Sequence, residues 1–354
     1  MALPFWIGNA APTVDAFTGT VALTWAAADT ATITHTESGK TLVVTIGTLV
    51  TTAQVATTIK QAWQSEAFTD TTASCVPAAG GTSIPEFAVI TASVSSSVVT
   101  FVADTSGASI GTLTMSETTA GTGTFTAAHS VTATGPSWFT NTGNSSTGSL
   151  PVSTDTWTID RPVSILYGLA QSAITLTAQL ITERFTSAAK IGLLRRNASG
   201  YEEYNATELA LSATTWTNRS SSNLIKQNFG SVQTTVNNYS SGVSAETGRP
   251  AVQLRGTHAS NSVNLFGGDL GWGASDETAT VATIRQEGGT LTVGANVTLT
   301  TLTKMSGTAN VYCAATTITN NEGTLTHHAG AVTTVNVNGG TVYEKGAGTT
   351  TTVR

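Results

Sequence analysis

The chain has 354 residues, of which 15 are Lys or Arg and 21 are Asp or Glu, giving a formal net charge of −6. Charged residues make up only 10% of it, against about 25% in an ordinary soluble domain. The basic residues form no run longer than Arg195-Arg196, which speaks against a nucleic-acid groove, and no stretch approaches the ~20 apolar residues of a membrane span.

The opening Met-Ala-Leu-Pro-Phe-Trp-Ile-Gly lacks the basic segment and the apolar length of a signal peptide. Synthesis in the cytoplasm is therefore expected. Residues 1–134 read as a small α+β module. Extended segments come first: Val21–Trp25, Thr30–His35 and Thr41–Ile46, the last two joined through Glu37-Ser-Gly-Lys40 as a hairpin. One helix is expected over 52–67. Thr51 or Thr52 caps it, and Val55, Ile59, Ala62 and Trp63 recur on one face. Strands follow at Phe87–Ala92 and Ser97–Val102, with further segments through Thr112–Met115 and Thr122–Thr126. Cys75 and Cys313 lie far apart in sequence and read as two unpaired, small apolar residues.

Val44-Thr-Ile-Gly47 leading into Thr52-Ala-Gln-Val-Ala-Thr-Thr-Ile59 resembles a module of phage tail and virion proteins. The later segments Val89-Ile-Thr-Ala and Val98-Val-Thr-Phe-Val-Ala-Asp-Thr-Ser-Gly107 belong to the same resemblance, which covers about a third of the chain. It implies a docking role in a particle. Any small α+β domain is the alternative.

Residues 135–160 are a linker and entry segment rich in Gly, Asn, Ser and Pro. Thr147-Gly-Ser-Leu-Pro-Val-Ser-Thr-Asp-Thr-Trp-Thr-Ile159 resembles the opening of β-helical, adhesin-type passengers. Pro151 stiffens the approach, Asp155 closes a turn, and Trp157 and Ile159 share one strand face.

From 161 to 277, strand-like segments (Ile174–Ala178, Ile191–Leu193, Ala206–Leu211, Val232–Val236, Val252–Leu254, Val263–Leu265) recur at wide, irregular spacing. They read as wide solenoid coils carrying loops. Gly230-Ser-Val-Gln-Thr-Thr-Val and Gly256-Thr-His-Ala-Ser-Asn-Ser-Val-Asn resemble β-helical proteins of planctomycete and phage origin, which implies architecture rather than activity.

Residues 278–354 are periodic. Ile284, Leu302, Ile318, Val335 and Val353 step by 18, 16, 17 and 18 residues. Gly289, Gly307, Gly323 and Gly340 keep step with them, each followed by Thr. A period near 17 is too short for helical hairpins of ~33 residues or more, and suits one coil of a parallel β-solenoid. Coils stack ~4.8 Å apart, so Ile284 to Val353 form one buried aliphatic column and Leu291, Ala309, Leu325 and Val342 another. The glycines supply positive-φ corners, and the flanking threonines, β-branched and suited to extended backbone, form an outward ladder. The fold class expected is mainly β: a small α+β module followed by a single-chain parallel β-solenoid with short C-terminal coils. End coils need capping. Arg354 directly follows the Val353 position, so the expectation there is a second chain, a symmetry mate or a removed segment.

β-Solenoids also carry polysaccharide-cleaving carboxylates. The candidates are Glu202-Glu203, Asp269, Asp276-Glu277 and Glu287. Neighbours on a strand face opposite ways, so neither doublet is a ready acid/base pair and solvated turn residues are the simpler reading. Arg184, Lys190, Arg195 and Arg196 form a basic cluster that suits an acidic glycan, a partner subunit or plain solvent. His327-His328 alternate in the same way, and the repeat phase places His327 where Val311 and Val293 stand, as a core histidine. Trp138, Trp157, Trp216, Trp272, Tyr201, Tyr204 and Tyr239 either stack on sugars or plug the wide coils. No nucleotide, metal or nucleophile motif is present, so no cofactor is expected. The expected function is structural and non-enzymatic: a tail-associated, fibre or capsid-decorating virion subunit, homo-oligomeric and trimeric by analogy with other β-helical appendages. Other virion subunits, and a host-surface glycan, would be its partners. A glycan-binding or glycan-cleaving spike, or a bacterial adhesin, is the alternative.

Overall fold

The computed structural model describes residues 4–196, 200, 202–274, 277–345 and 350–354. Tyr201 and Asp276 lie outside the described residues. The chain forms two compact units. One comprises 1–10, 136–194 and 206–354, the other 11–135 and 195–205.

The smaller unit holds two four-stranded antiparallel sheets. Their orders are Ile90–Ser95, Val98–Ala103, Ala16–Ala22, Thr124–Val131 and Ser74–Val76, Lys40–Thr45, Thr30–His35, Leu113–Thr118. The hairpin expected around Glu37-Ser-Gly-Lys40 pairs His35 with Lys40. The helix runs Thr52–Trp63, four residues shorter than 52–67. Thr51 caps it, taking the Gln54 N–H on its hydroxyl, while Gln54 accepts the Thr51 N–H at 3.1 Å. That reciprocal pair satisfies two orphan donors of the first turn. Val55, Ile59, Ala62 and Trp63 are buried. The Trp63 indole stacks on Phe87 with centroids 4.4 Å apart and donates to the Ile90 carbonyl at 2.8 Å.

The larger unit is a parallel β-solenoid of about ten turns. The inner positions of one face run in register through Trp157, Gln179, Trp216, Val236, Val263, Ile284, Leu302, Ile318, Val335 and Val353. A second face stacks Ile225, Val252, Leu270, Leu291, Ala309, Leu325 and Val342. Trp157, Trp216 and Trp272 are fully buried, so these indoles fill the wide coils and present no ring to a sugar. Outside the first column, Thr283, Thr301, Thr317, Thr334 and Thr352 pair in register. Full burial of an aliphatic side chain is worth roughly 1.5–3 kcal/mol, and since coils contact only their neighbours, stability accumulates coil by coil.

Two column positions differ from the expectation of burial. Val353 is 67% exposed and Val342 only half-buried, because few described residues stack beyond them. The corner glycines all have positive φ, +73° at Gly289, +84° at Gly307, +76° at Gly323 and +71° at Gly340.

The division of the chain also differs from 1–134, 135–160, 161–277 and 278–354. Residues 4–10 belong to the solenoid, where Phe5–Trp6 pairs parallel with Thr158–Ile159. Trp6 meets Trp157 edge-on at 6.3 Å and donates to the Val163 carbonyl at 3.0 Å. A two-residue strand carries too little pattern to be read from sequence. The solenoid therefore already begins inside the expected linker, and Asp155 closes the entry turn by accepting the Val152 N–H at 2.9 Å. The step from Gln179 to Trp216 is the longest between column positions, because that coil makes the excursion 195–205 into the other unit.

Candidate functional site

The coil between Val236 and Val263 is also wide, and its extra length forms a polar site on the solenoid. After Thr235–Asn238 the chain follows the coil beneath it, with Tyr239, Ser241 and Ala245 donating their N–H groups to the carbonyls of Asn218, Ser220 and Asn223 at 2.7, 3.1 and 2.9 Å. It then turns at Glu246-Thr-Gly-Arg249, where the Arg249 N–H reaches the Glu246 carbonyl at 3.2 Å and Gly248 takes φ +74°. Glycine is the residue that enters this left-handed region without strain.

The turn sends the Glu246 side chain inward. Its carboxylate accepts from Lys226 Nζ at 3.0 Å and from Gln253 Nε2 at 2.9 Å. The side chains of Lys226 and Glu246 are 8% and 9% exposed. Lys226, Gln253, Gly271 and Thr292 occupy one column of the face. Gly271 is small for a reason: a Cβ there would lie 2.8 Å from Pro250 Cγ. Burial pulls the Lys226 ammonium below the usual lysine range, and the Glu246 carboxylate opposes it.

Val243, Ser244, Glu246, Arg249, Pro250, Asp269 and Thr292 border a cleft of about 390 Å³, within the size range of small-ligand sites. Asp269 starts the next strand of that face and accepts the Ala251 N–H at 3.3 Å. Burial pushes its carboxyl above the ordinary aspartate range, with the Ala251 hydrogen bond opposing. The charged residues Glu246, Arg249 and Asp269 and the hydroxyl-bearing Ser244 and Thr292 thus border the cleft together with Val243 and Pro250. A second charged group lies on the same face, where Arg255 Nε donates to both Glu208 oxygens at 2.9 Å.

Of the expected carboxylates among the described residues, Asp269 borders this cleft. Glu202 pairs with Arg195 at 3.2 Å, Glu203 accepts from Asn205 at 2.9 Å, and Glu287 pairs with Arg285. Glu277 acts electrostatically on Lys226 and Arg255. Of the basic residues, Arg184 pairs with Asp160 at 3.0 Å in the solenoid, which also holds Lys190, and Arg195 and Arg196 belong to the other unit. His327 is 1% exposed, with Nδ1 against Glu344 and Nε2 3.0 Å from the Cys313 carbonyl. His328 stacks on Tyr312 at 4.2 Å.

Trp138 stacks on Tyr167 at 5.0 Å, and Tyr204 meets His35 edge-on at 4.3 Å. Tyr239 is 44% exposed, but Phe266 stacks on it at 4.3 Å and Arg219 lies over the ring at 5.2 Å. Cys75 and Cys313 are free and buried, and burial pushes the Cys313 thiol up to about 12. Among the described residues no group of three or more His, Cys, Asp or Glu side chains is placed to hold a metal ion.

Lys226, Glu246, Arg249 and Gln253 carried no signal in the sequence beyond their charge or polarity. The available clue was the break in spacing between Val236 and Val263, since a solenoid that widens for one coil carries a loop there. The chain matches no known protein family, curated protein or solved structure.

Proposed function

We propose that the chain is a structural, non-enzymatic subunit of a virion or virion-like particle, either tail-associated, part of a fibre or decorating a capsid. In this role the solenoid is a rigid element and the α+β unit is the docking module. The observation that carries the reading is the unbroken column from Val236 to Val335, aliphatic at every coil. Such stacking resists bending and unravelling because each coil is buried by its two neighbours. The low charge and threonine-lined outer face add support, as both suit repeated contact with identical surfaces. A homotrimer, bound to other particle subunits, is the assembly proposed.

Mass spectrometry of particles purified from cells that make the protein tests this directly. The chain should be found in the particle fraction at stoichiometric level, and light scattering should give a trimer mass. A chain absent from particles and monomeric at every concentration overturns the reading.

A second reading is glycan attachment by the same solenoid, favoured by the Glu246–Asp269 cleft. Retention on immobilised host-surface polysaccharide checks it, and passage without retention counts against it.

A further inference from the structure

We propose that the cleft bordered by Arg249, Asp269 and Thr292 is a subsite for one neutral pyranose unit of a glycan chain. This rests on the glycan-attachment reading and gives it a place and a ligand chemistry.

Three features argue for a ligand there. The loop is held before any ligand arrives. Its backbone follows the coil beneath through the Tyr239, Ser241 and Ala245 bonds, and its turn is anchored by Glu246 on Lys226 and Gln253. A loop tied in this way has less freedom to lose on binding, which lowers the ordering part of the entropic cost. An ion pair this buried is also an expensive way to fasten a loop, since desolvation offsets most of its attraction. A hydrophobic anchor would do as well if position alone mattered. Finally, the carboxyl group of Asp269 lines the opening in a chain with few charges, and is partly desolvated there.

The chemistry selects the ligand. Vicinal sugar hydroxyls donate to a carboxylate and accept from a guanidinium, and Asp269 and Arg249 supply one of each. The Thr292 hydroxyl does either. The edges of Val243 and Pro250 suit the C–H face of a ring, and the cleft volume of about 390 Å³ admits one. An anionic sugar would meet the Asp269 carboxylate and the net charge of −6, so a neutral hexose or N-acetylhexosamine is favoured.

Saturation-transfer NMR on the full chain tests this with glucose, galactose, mannose, N-acetylglucosamine and glucuronate, each at ~10 mM to reach weak single-sugar affinities. At least one neutral sugar should receive saturation, and more strongly than glucuronate. Asp269→Asn, which keeps an acceptor for the Ala251 N–H, and Arg249→Gln should each lower that signal about tenfold, as expected for one lost charged hydrogen bond. Thr317→Ala, on the other face, should leave it unchanged. If either variant has lost the native melting transition, Thr292→Val takes its place, with an expected loss of about threefold for one neutral hydrogen bond. Transfer that persists undiminished in the folded variants places the sugar elsewhere and overturns the subsite, while leaving glycan attachment standing. No transfer to any neutral sugar, together with no retention on polysaccharide, overturns both. Retention on polysaccharide without single-sugar transfer overturns the subsite alone.

Discussion

The carbonyl oxygen of Gly289 lies 2.3 Å from the point where a Cβ on Gly307 would stand. The same relation holds between Gly307 and Gly323 and between Gly323 and Gly340, each with positive φ at the later residue. The corner therefore excludes a side chain twice, by backbone conformation and by the coil below. Gly307→Ala is expected to cost at least ~2 kcal/mol, since the left-handed conformation alone accounts for ~1–2 kcal/mol and the carbonyl contact adds to it. Urea unfolding of the variant, with an unchanged slope and a lowered midpoint, checks this.

Leu302→Ala removes a fully buried side chain from the middle of the aliphatic column. The expected loss is ~2–5 kcal/mol. Thr301→Ala, one residue away on the outer ladder, should stay within ~0.5 kcal/mol of the parent. Equal effects from the two in thermal unfolding would contradict the assignment of inner and outer faces.

Lys226→Met leaves Glu246 buried without its cation. The expected cost is ~3–5 kcal/mol, because an uncompensated buried charge loses far more than the pair gains. Adding Glu246→Leu to it should recover most of the loss. The double-mutant cycle, read by thermal melting, then yields a coupling that a solvent-exposed pair would not show.

Lys304 is fully buried in the inner corner column between Gln286 and Asn320 and donates to the Glu322 carbonyl. Burial lowers its ammonium below the usual 10.5, with Glu322 opposing. The unfolded chain therefore holds the Lys304 proton more tightly, and stability must rise as pH climbs from the folded value towards 10.5. Lys304→Gln, which extends the amide column, should remove this alkaline gain. At neutral pH it should raise stability by ~1 kcal/mol. A midpoint in urea that fails to rise in the variant at pH 7 would refute it.

His35 in the α+β unit accepts the Ser38 N–H on Nδ1 at 3.1 Å and faces the Ile110 carbonyl through Nε2 at 3.0 Å. This is the pattern of a neutral ring. Burial lowers its pKa from 6.5, against the opposing Glu37, the Ile110 carbonyl, Glu86 and Glu203. The unfolded chain takes up the proton first, so this contribution is complete above about pH 6.5 and is lost as pH falls through the folded value. His35→Gln should flatten the acid limb of the unit's stability curve, followed by Trp63 fluorescence.

The regular coils were legible because one residue type recurs at one phase. Five aliphatic positions and four glycines, all in step, leave few other folds open. The wide coils were legible only as strands. Trp157, Gln179 and Trp216 share a column but keep no common spacing, Gln179 interrupts the two tryptophans, and residues 195–205 hide the register between the last two. The cleft was the least legible part. Asp269 was one carboxylate among several, and Lys226, Arg249 and Glu246 meet only because a turn folds back across a neighbouring coil. Pairing between residues on different coils leaves no local pattern in the chain.

Phe5–Trp6 and Thr156–Ile159 are neighbours in one sheet, yet the α+β unit lies between them in sequence. The chain passes between its two units at four points, so dissection by a single cut is not open to it. A fragment ending near 135 would carry off the solenoid's first strand and leave Trp157 without the Trp6 indole. A fragment beginning there would keep 195–205 but lose the unit those residues complete. On the ribosome, Phe5–Trp6 must wait for some 150 residues before its partner exists, so this pairing is a non-local event beside the more local pairings of the later coils.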